Sequence, residues 1–175
     1  SLQRSPASPG RVITTNAESV SSKYLQPTTI KDALTVAKNI RVEDQREIEG
    51  LGHTLGILPW CVVNSVRPVT LYHNEKPDTI VGVCGIVPDE DNPRIGSVWL
   101  ICTQDVETVN PITFIRESKR WLESESSNYD ALWNLADARN HLHHKFLKLL
   151  GFKSLRVTHP APYYIPYLEI VKLCA

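Results

Sequence analysis

Residues 129–152, YDALWNLADARNHLHHKFLKLLGF, gather Asn140, His141, His143 and His144 at the head of a segment with an apolar stripe. On a helix, His141 and His144 lie three apart and would share a face, presenting two imidazoles to a metal. Two ligands do not make a site. No further histidine or carboxylate follows at a compatible spacing, so solvated imidazoles at a helix start are expected, and no metal. The acidic run Asp89-Glu90-Asp91-Asn92 has the density of a calcium loop but lacks its glycine and its distal glutamate. It reads as a hairpin tip in water. Cys61, Cys84, Cys102 and Cys174 sit singly in apolar stretches such as VGVCGIV, without CxxC spacing, as buried thiols in a reducing compartment do.

At 175 residues the chain is one domain by the usual prior, long enough to bury about two thirds of its unfolded surface. Nineteen Lys and Arg balance nineteen Asp and Glu, so no net field draws the chain to nucleic acid or to an anionic membrane. No apolar run reaches the length needed to span a bilayer, and SLQRSPASPG lacks the apolar stretch of a secretory signal. An intracellular origin is expected.

The elements that must position any site are punctuated clearly. Ser1 to Pro27 is rich in Ser, Thr, Pro and Gly, and reads as an arm: either a disordered tail or an extended segment ordered only against a partner chain, with Val12, Ile13, Tyr24 and Leu25 as anchors. Residues 28–175 form the folded domain. Ile30, Leu34 and Ala37 mark one face of a first helix, and 44–51 a charged surface helix ending at Gly52. A loop or short helix surrounds Trp60. Runs 69–73, 79–87 and 95–103, separated by NEKPD and PDEDNPR, predict an antiparallel meander. Asn110-Pro111 opens a helix as cap and first residue. Its expected apolar face is Ile112, Ile115 and Leu122, with Glu117 toward water. Ala131 to Ala138 is a strand adjacent and parallel to 95–103, because a helix connects the two. Asn140 caps the next helix, whose stripe Leu142, Phe146, Leu149 and Leu150 faces the core, and Gly151 stops it. Strands at 155–158 and 167–173 close the chain. The four tryptophans read as core or subunit-contact residues.

A strand ending near Asn140, followed by a helix that ends Leu150-Gly151-Phe152, resembles the last third of the GNAT acetyltransferase fold. With Trp99-Leu-Ile-Cys-Thr103, FIRESKRWL and Tyr129-Asp-Ala-Leu-Trp-Asn134, residues 30 to 155 resemble a GNAT-like family of tailed phages, described as internal virion proteins or acetyltransferases. The resemblance implies an α/β (α+β) fold: a mixed, mostly antiparallel sheet flanked by helices. It also implies a virion protein made in the host cytoplasm, acting with portal, tail or core proteins in an oligomeric head-tail connector or internal core.

The family's pyrophosphate turn is rich in glycine, so that backbone N–H groups can approach phosphate oxygens. Here the same place holds Thr103-Gln-Asp-Val-Glu-Thr-Val-Asn-Pro111, with Gln104 at the first motif position, no glycine after it, and Asp105 and Glu107 where phosphates would sit. The family's tyrosine acid falls on Leu147, which carries no proton to give. A degenerate site without catalysis and without a cofactor is the expectation. The alternative is an active N-acetyltransferase using acetyl-CoA on a small or protein amine, with Gln104 and Asn140 in the cofactor site.

Overall fold

The computed structural model describes residues 22–174. Strands β1 (Leu25–Pro27), β2 (Val69–Tyr72), β3 (Ile80–Pro88), β4 (Ile95–Cys102), β5 (Ala131–Asp137), β6 (Lys153–Thr158) and β7 (Tyr167–Leu173) make one seven-stranded sheet in the order β1-β2-β3-β4-β5-β7-β6. Helices α1 (Ile30–Lys38), α2 (Val42–Gly50) and α3 (Ile57–Asn64) precede the meander, and α4 (Pro111–Ser126) and α5 (His141–Leu149) flank β5. All neighbours are antiparallel except β4 and β5, which run parallel as the α4 crossover requires.

Two apolar clusters sandwich the sheet. Ala33, Val36, Ile48, Leu58 and Val62 of α1–α3 pack with Val83 and Trp99 on one face. Trp121 and Leu122 of α4 and Leu147 of α5 pack with Leu71, Ile86, Leu132 and Ile170 on the other. No described helix is long and apolar enough to cross a membrane.

The local signals are obeyed where they are strongest. Thr29 and Asp32 close a capping box at α1, with Asp32 N donating to Thr29 Oγ1 at 3.2 Å and Thr29 N to Asp32 Oδ2 at 3.3 Å. Asn110 caps α4 by accepting from Ile112 N and Thr113 N at 3.0 and 3.2 Å. Gly151 takes φ 95°, the left-handed stop expected of it.

Phase and boundary are where the structure departs from the sequence reading. In α1, Ile30 and Leu34 are 43% and 50% exposed, while Ala33 and Val36 are fully buried. Both stripes satisfy helical spacing, and the smaller side chains let the helix sit closer to the sheet. In α5 the expected core stripe divides. Leu147 is buried, Phe146 and Leu150 are half-buried, and Leu142 and Leu149 stand 61% and 52% exposed. On α4, Trp121 and Leu122 are buried and Ile112 is exposed, while Glu117, expected in water, is buried and accepts from Ser22 Oγ at 3.1 Å.

The arm is shorter than its composition suggests. Leu25 pairs with Leu71 in β1–β2 and is fully buried in the chain's own core, so it cannot anchor a partner. Tyr24 beside it is half-buried, and its carbonyl accepts from Tyr72 N at 2.8 Å. The folded domain therefore begins before residue 28. Val12 and Ile13 lie outside the described residues.

These placements set opposite expectations for two leucines. Leu25→Ala should cost about 2–5 kcal/mol in urea unfolding, as a large-to-small change in a closed core does. Leu149→Ala should stay within about 0.5 kcal/mol, as exposed positions do. Equal losses would contradict the assigned phase of α5.

Candidate functional site between diverging strands

Parallel pairing of β4 with β5 covers only Ile95–Ser97 against Ala131–Trp133. Beyond that the strands diverge, and their facing backbone groups need other partners. Asn134 supplies one by donating from Nδ2 to the Val98 carbonyl. Asp44 supplies another, its Oδ2 accepting from Cys102 N at 2.7 Å. Glu47 supplies a third, its Oε2 accepting from Asp137 N at 3.2 Å. The opening between the strands thus draws two carboxylates of α2 inward.

Around them lies a cluster of polar side chains. Arg41 Nη2 donates to Asn140 Oδ1 at 3.1 Å and meets Asp44 Oδ1 at 3.4 Å, with Arg41, Asp44 and Asn140 all buried. Asn140 Nδ2 donates to Glu47 Oε2 at 3.4 Å, and His143 Nδ1 stands 3.5 Å from the same oxygen. No hydrogen bond reaches Glu47 Oε1 among the described residues. Tyr167 holds the backbone beneath, its hydroxyl donating to the Glu47 carbonyl at 2.7 Å. Gly50, one turn on, allows this: a Cβ there would collide with the Tyr167 hydroxyl.

Burial and charge oppose each other at both titrating groups. For His143, burial disfavours the imidazolium, but the Glu47 and Asp44 carboxylates outweigh it and hold the imidazole above the usual histidine range. For Asp44, burial raises the carboxyl above its usual range, and Arg41, the Cys102 N–H and His143 only partly offset this. Three of the thiols are poor nucleophiles. Burial pushes Cys61 up to about 11, and Cys84 and Cys102 further.

Three cavities, two of which share lining residues with the third, use these residues. A cleft of about 440 Å³ opens between α4 and α5, walled by Val106, Phe114, Ile115, Leu142, Phe146 and Leu149, with Arg41, Asp44 and His143 at its head. Phe114 and Phe146 pack across its floor with ring centroids 5.2 Å apart. A narrow inner space shares His143 and Phe146 with that cleft, and also touches Glu47, Trp99 and Asn134. A third cavity, of about 210 Å³, shares Glu47, Trp99 and Asn134 with the inner space and lies against α2 and α3. Lining residues of the inner space recur in the cavities on both faces of the sheet.

The residues singled out from the sequence fare unevenly. Asn140 stands at the N-cap position of α5, but its side chain makes no cap bond and is spent on Arg41 and Glu47 instead. Gln104 is exposed at the start of a 3-10 turn, Gln104–Thr108, and lines none of the three cavities. Glu107 lines the cleft. The histidines diverge: His141 is exposed, His143 turns to Glu47, and His144 Nε2 donates to the Asp137 carbonyl at 2.7 Å. No group of three or more His, Cys, Asp or Glu able to hold a metal forms among the described residues. Leu147, at the family's tyrosine position, is a core residue. Tyr129 and Tyr167 are buried and Tyr163 and Tyr164 exposed, and none lines these cavities.

Sequence reasoning missed Arg41, Asp44 and Glu47. One signal was present. The three lie at successive three-residue steps, and Asp44 shares a helix stripe with Ile48, which is buried.

At the start of α4 the backbone amides already have partners. Pro111 has no N–H, Ile112 N and Thr113 N donate to Asn110 Oδ1, and Phe114 N donates to the Asn110 carbonyl at 3.0 Å. Every early amide of α4 is taken or missing, and acidic Asp105 and Glu107 sit just before.

No protein-family model matches the chain, and no curated protein matches it in sequence. Solved structures do match in fold. A GNAT-family acetyltransferase from Streptococcus pneumoniae aligns at TM-score 0.59 and 16% identity over 85% of this chain and 97% of that one. A ribosomal-protein-alanine N-acetyltransferase from Brucella melitensis aligns at 0.61 and 11%, over 85% and 98%. Spermidine N-acetyltransferase from Vibrio cholerae, in complex with CoA and spermine, aligns at 0.60 and 12%, over 85% and 94%.

Two measurements check the cluster. Asp44→Ala leaves buried Arg41 with only the longer 3.7 Å carboxylate contact to Glu43 and the Cys102 amide without its acceptor, and should cost about 3–5 kcal/mol in chemical unfolding. By NMR, His143 should titrate above 6.5, and Glu47→Gln should lower its midpoint. The imidazolium's stabilising contribution is then complete below pH 6.5 and fades as pH rises through the raised folded value. Sheet order, crossover and structural neighbours agree on one point: the chain has the GNAT acetyltransferase fold.

Proposed function

We propose that the chain transfers an acyl group from a thioester to an amine, with the reaction at the opening between β4 and β5. The observation that carries this reading is the pairing of Glu47 with His143: Glu47 lines the α2–α3 cavity, His143 the α4–α5 cleft, and both line the inner space. A thioester enters along the apolar cleft between α4 and α5, and an amine arrives from the α2–α3 face and reacts as the neutral base, its ammonium form first releasing one proton to water. Glu47 takes the proton that the nitrogen loses as the new N–C bond forms. His143, as imidazolium, gives a proton to the sulfur as the C–S bond breaks. The two groups then restore each other by one proton passed across 3.5 Å. Acetyl transfer by the GNAT-fold neighbours supports the reaction class.

The donor is held by its acyl and pantetheine part. Calorimetry should show acetyl-pantetheine binding within about threefold of acetyl-CoA, because phosphates find no amide donors at α4. His143→Ala should cut thiol release by about 10² or more, the scale of a lost general acid. A hundredfold preference for acetyl-CoA would overturn the phosphate-independent donor site, and unchanged turnover in His143→Ala would remove the histidine's role.

The capped, acidic start of α4 favours a second reading: an assembly protein of a phage particle that keeps the fold without the chemistry. On this reading it binds portal, tail or core proteins and resides in the virion. Thiol release with no amine giving a signal above background, together with the chain's presence in purified particles by mass spectrometry, would select it.

A further inference from the structure

The cavity on the α2–α3 face has a chemical character that specifies its occupant. Glu47 is the one formally charged side chain among its lining residues, and it sits at the inner end shared with the space that holds His143. The walls are otherwise apolar and aromatic: Ile48, Leu51, Ile57, Trp60 and Trp99. His53 and Ser97 add small polar groups, and Cys61 is kept protonated by burial. No lysine or arginine lines it. At about 210 Å³ it is below the 300–1,000 Å³ of drug-sized sites, so it takes a small molecule.

Glu47 pairs with His143 through Oε2, and its Oε1, without a hydrogen bond among the described residues, leaves one acceptor for a single ammonium group on an apolar body. A polyamine or an amino sugar would bury further cations or hydroxyls with few acceptors beyond His53, Ser97 and Asn134 to meet them, at a desolvation cost of about 1–3 kcal/mol for each group left unpaired. Trp60 is 53% exposed and Trp99 is buried with its Nε1 tied to Ser65 Oγ at 2.7 Å. The first offers a ring at the pocket, and the second is a fixed wall. Aromatic rings beside an ammonium group add an attraction to its cation.

We infer that this pocket is an acceptor site for a small primary monoamine with an aromatic or apolar body, with Glu47 binding the ammonium group and Trp60 covering the ring. The inference rests on the transfer reading only for the chemistry after binding, so it is tested without any thioester. Calorimetry on the full chain would compare phenethylamine, 3-phenylpropionate and spermidine. Phenethylamine should bind at least tenfold more tightly than either. Glu47→Gln should weaken it tenfold or more, and Trp60→Ala, at an exposed position, about fivefold, with melting curves confirming that both variants are folded.

Tighter binding of spermidine, equal binding of 3-phenylpropionate, or indifference to Trp60→Ala would each overturn the assigned class. If phenethylamine binds as expected but no thiol is released in its presence, the amine site stands and the transfer reading falls. If acyl transfer occurs with spermidine while phenethylamine neither binds nor reacts, transfer stands and this acceptor class falls.

Discussion

The divergence of β4 from β5 is the constraint on which the other features turn. Parallel neighbours normally satisfy each other's backbone along their length, but here the pairing ends at Ser97 and Trp133. The remaining N–H and C=O groups on the facing edges must be answered or left at a cost comparable to a lost hydrogen bond. The chain answers them with side chains: Asn134 at Val98, Asp44 at Cys102 and Glu47 at Asp137. The Cys102 carbonyl is met from the same side, accepting from Arg41 N at 2.9 Å. Carboxylates that would ordinarily stay in water are therefore held inside, and they bring Arg41, Asn140 and His143 with them.

This origin explains why structural and chemical roles coincide at Glu47. Its Oε2 is crowded by three donors, which fixes the side chain, while it still borders the inner space and the α2–α3 cavity. A carboxylate held rigidly by backbone and amide donors can take a proton without first reorganising. Asp44 differs. It is closed between Arg41 and the Cys102 amide, and it serves the fold by keeping a buried guanidinium paired.

The corner before α4 shows the same physics with the opposite result. A helix N-terminus attracts anions because its first N–H groups lack partners. Asn110 and Pro111 remove that property, by accepting two of the bonds and by lacking an N–H. The family fold is kept while the anion site is closed from within. What remains of the cleft is mostly apolar, with Arg41, Asp44, Glu107, His143 and Lys145 as its charged or polar lining, and the half of the α5 stripe that escapes the core, Leu142 and Leu149, forms part of its wall.

Local pattern was enough for the order of elements from the meander onward, the parallel crossover through α4, the Asn110 cap and the left-handed stop at Gly151. Each rests on bonds made within a few residues or on a rule of chain handedness. Assembly of the sheet settled the rest. Ile30-Leu34-Ala37 and Ala33-Val36-Ile40 are equally periodic, and the distance to the sheet chose between them. Leu25 looked like part of a polar arm until β2 offered it an edge to pair with. Asn140 looked like a cap, and Asp44 and Glu47 like surface charge, because the groups that claim them stand 58 to 99 residues away in the chain. Amide groups left open by two diverging strands carry no local signature, so the site they create became visible only when the strands stood side by side.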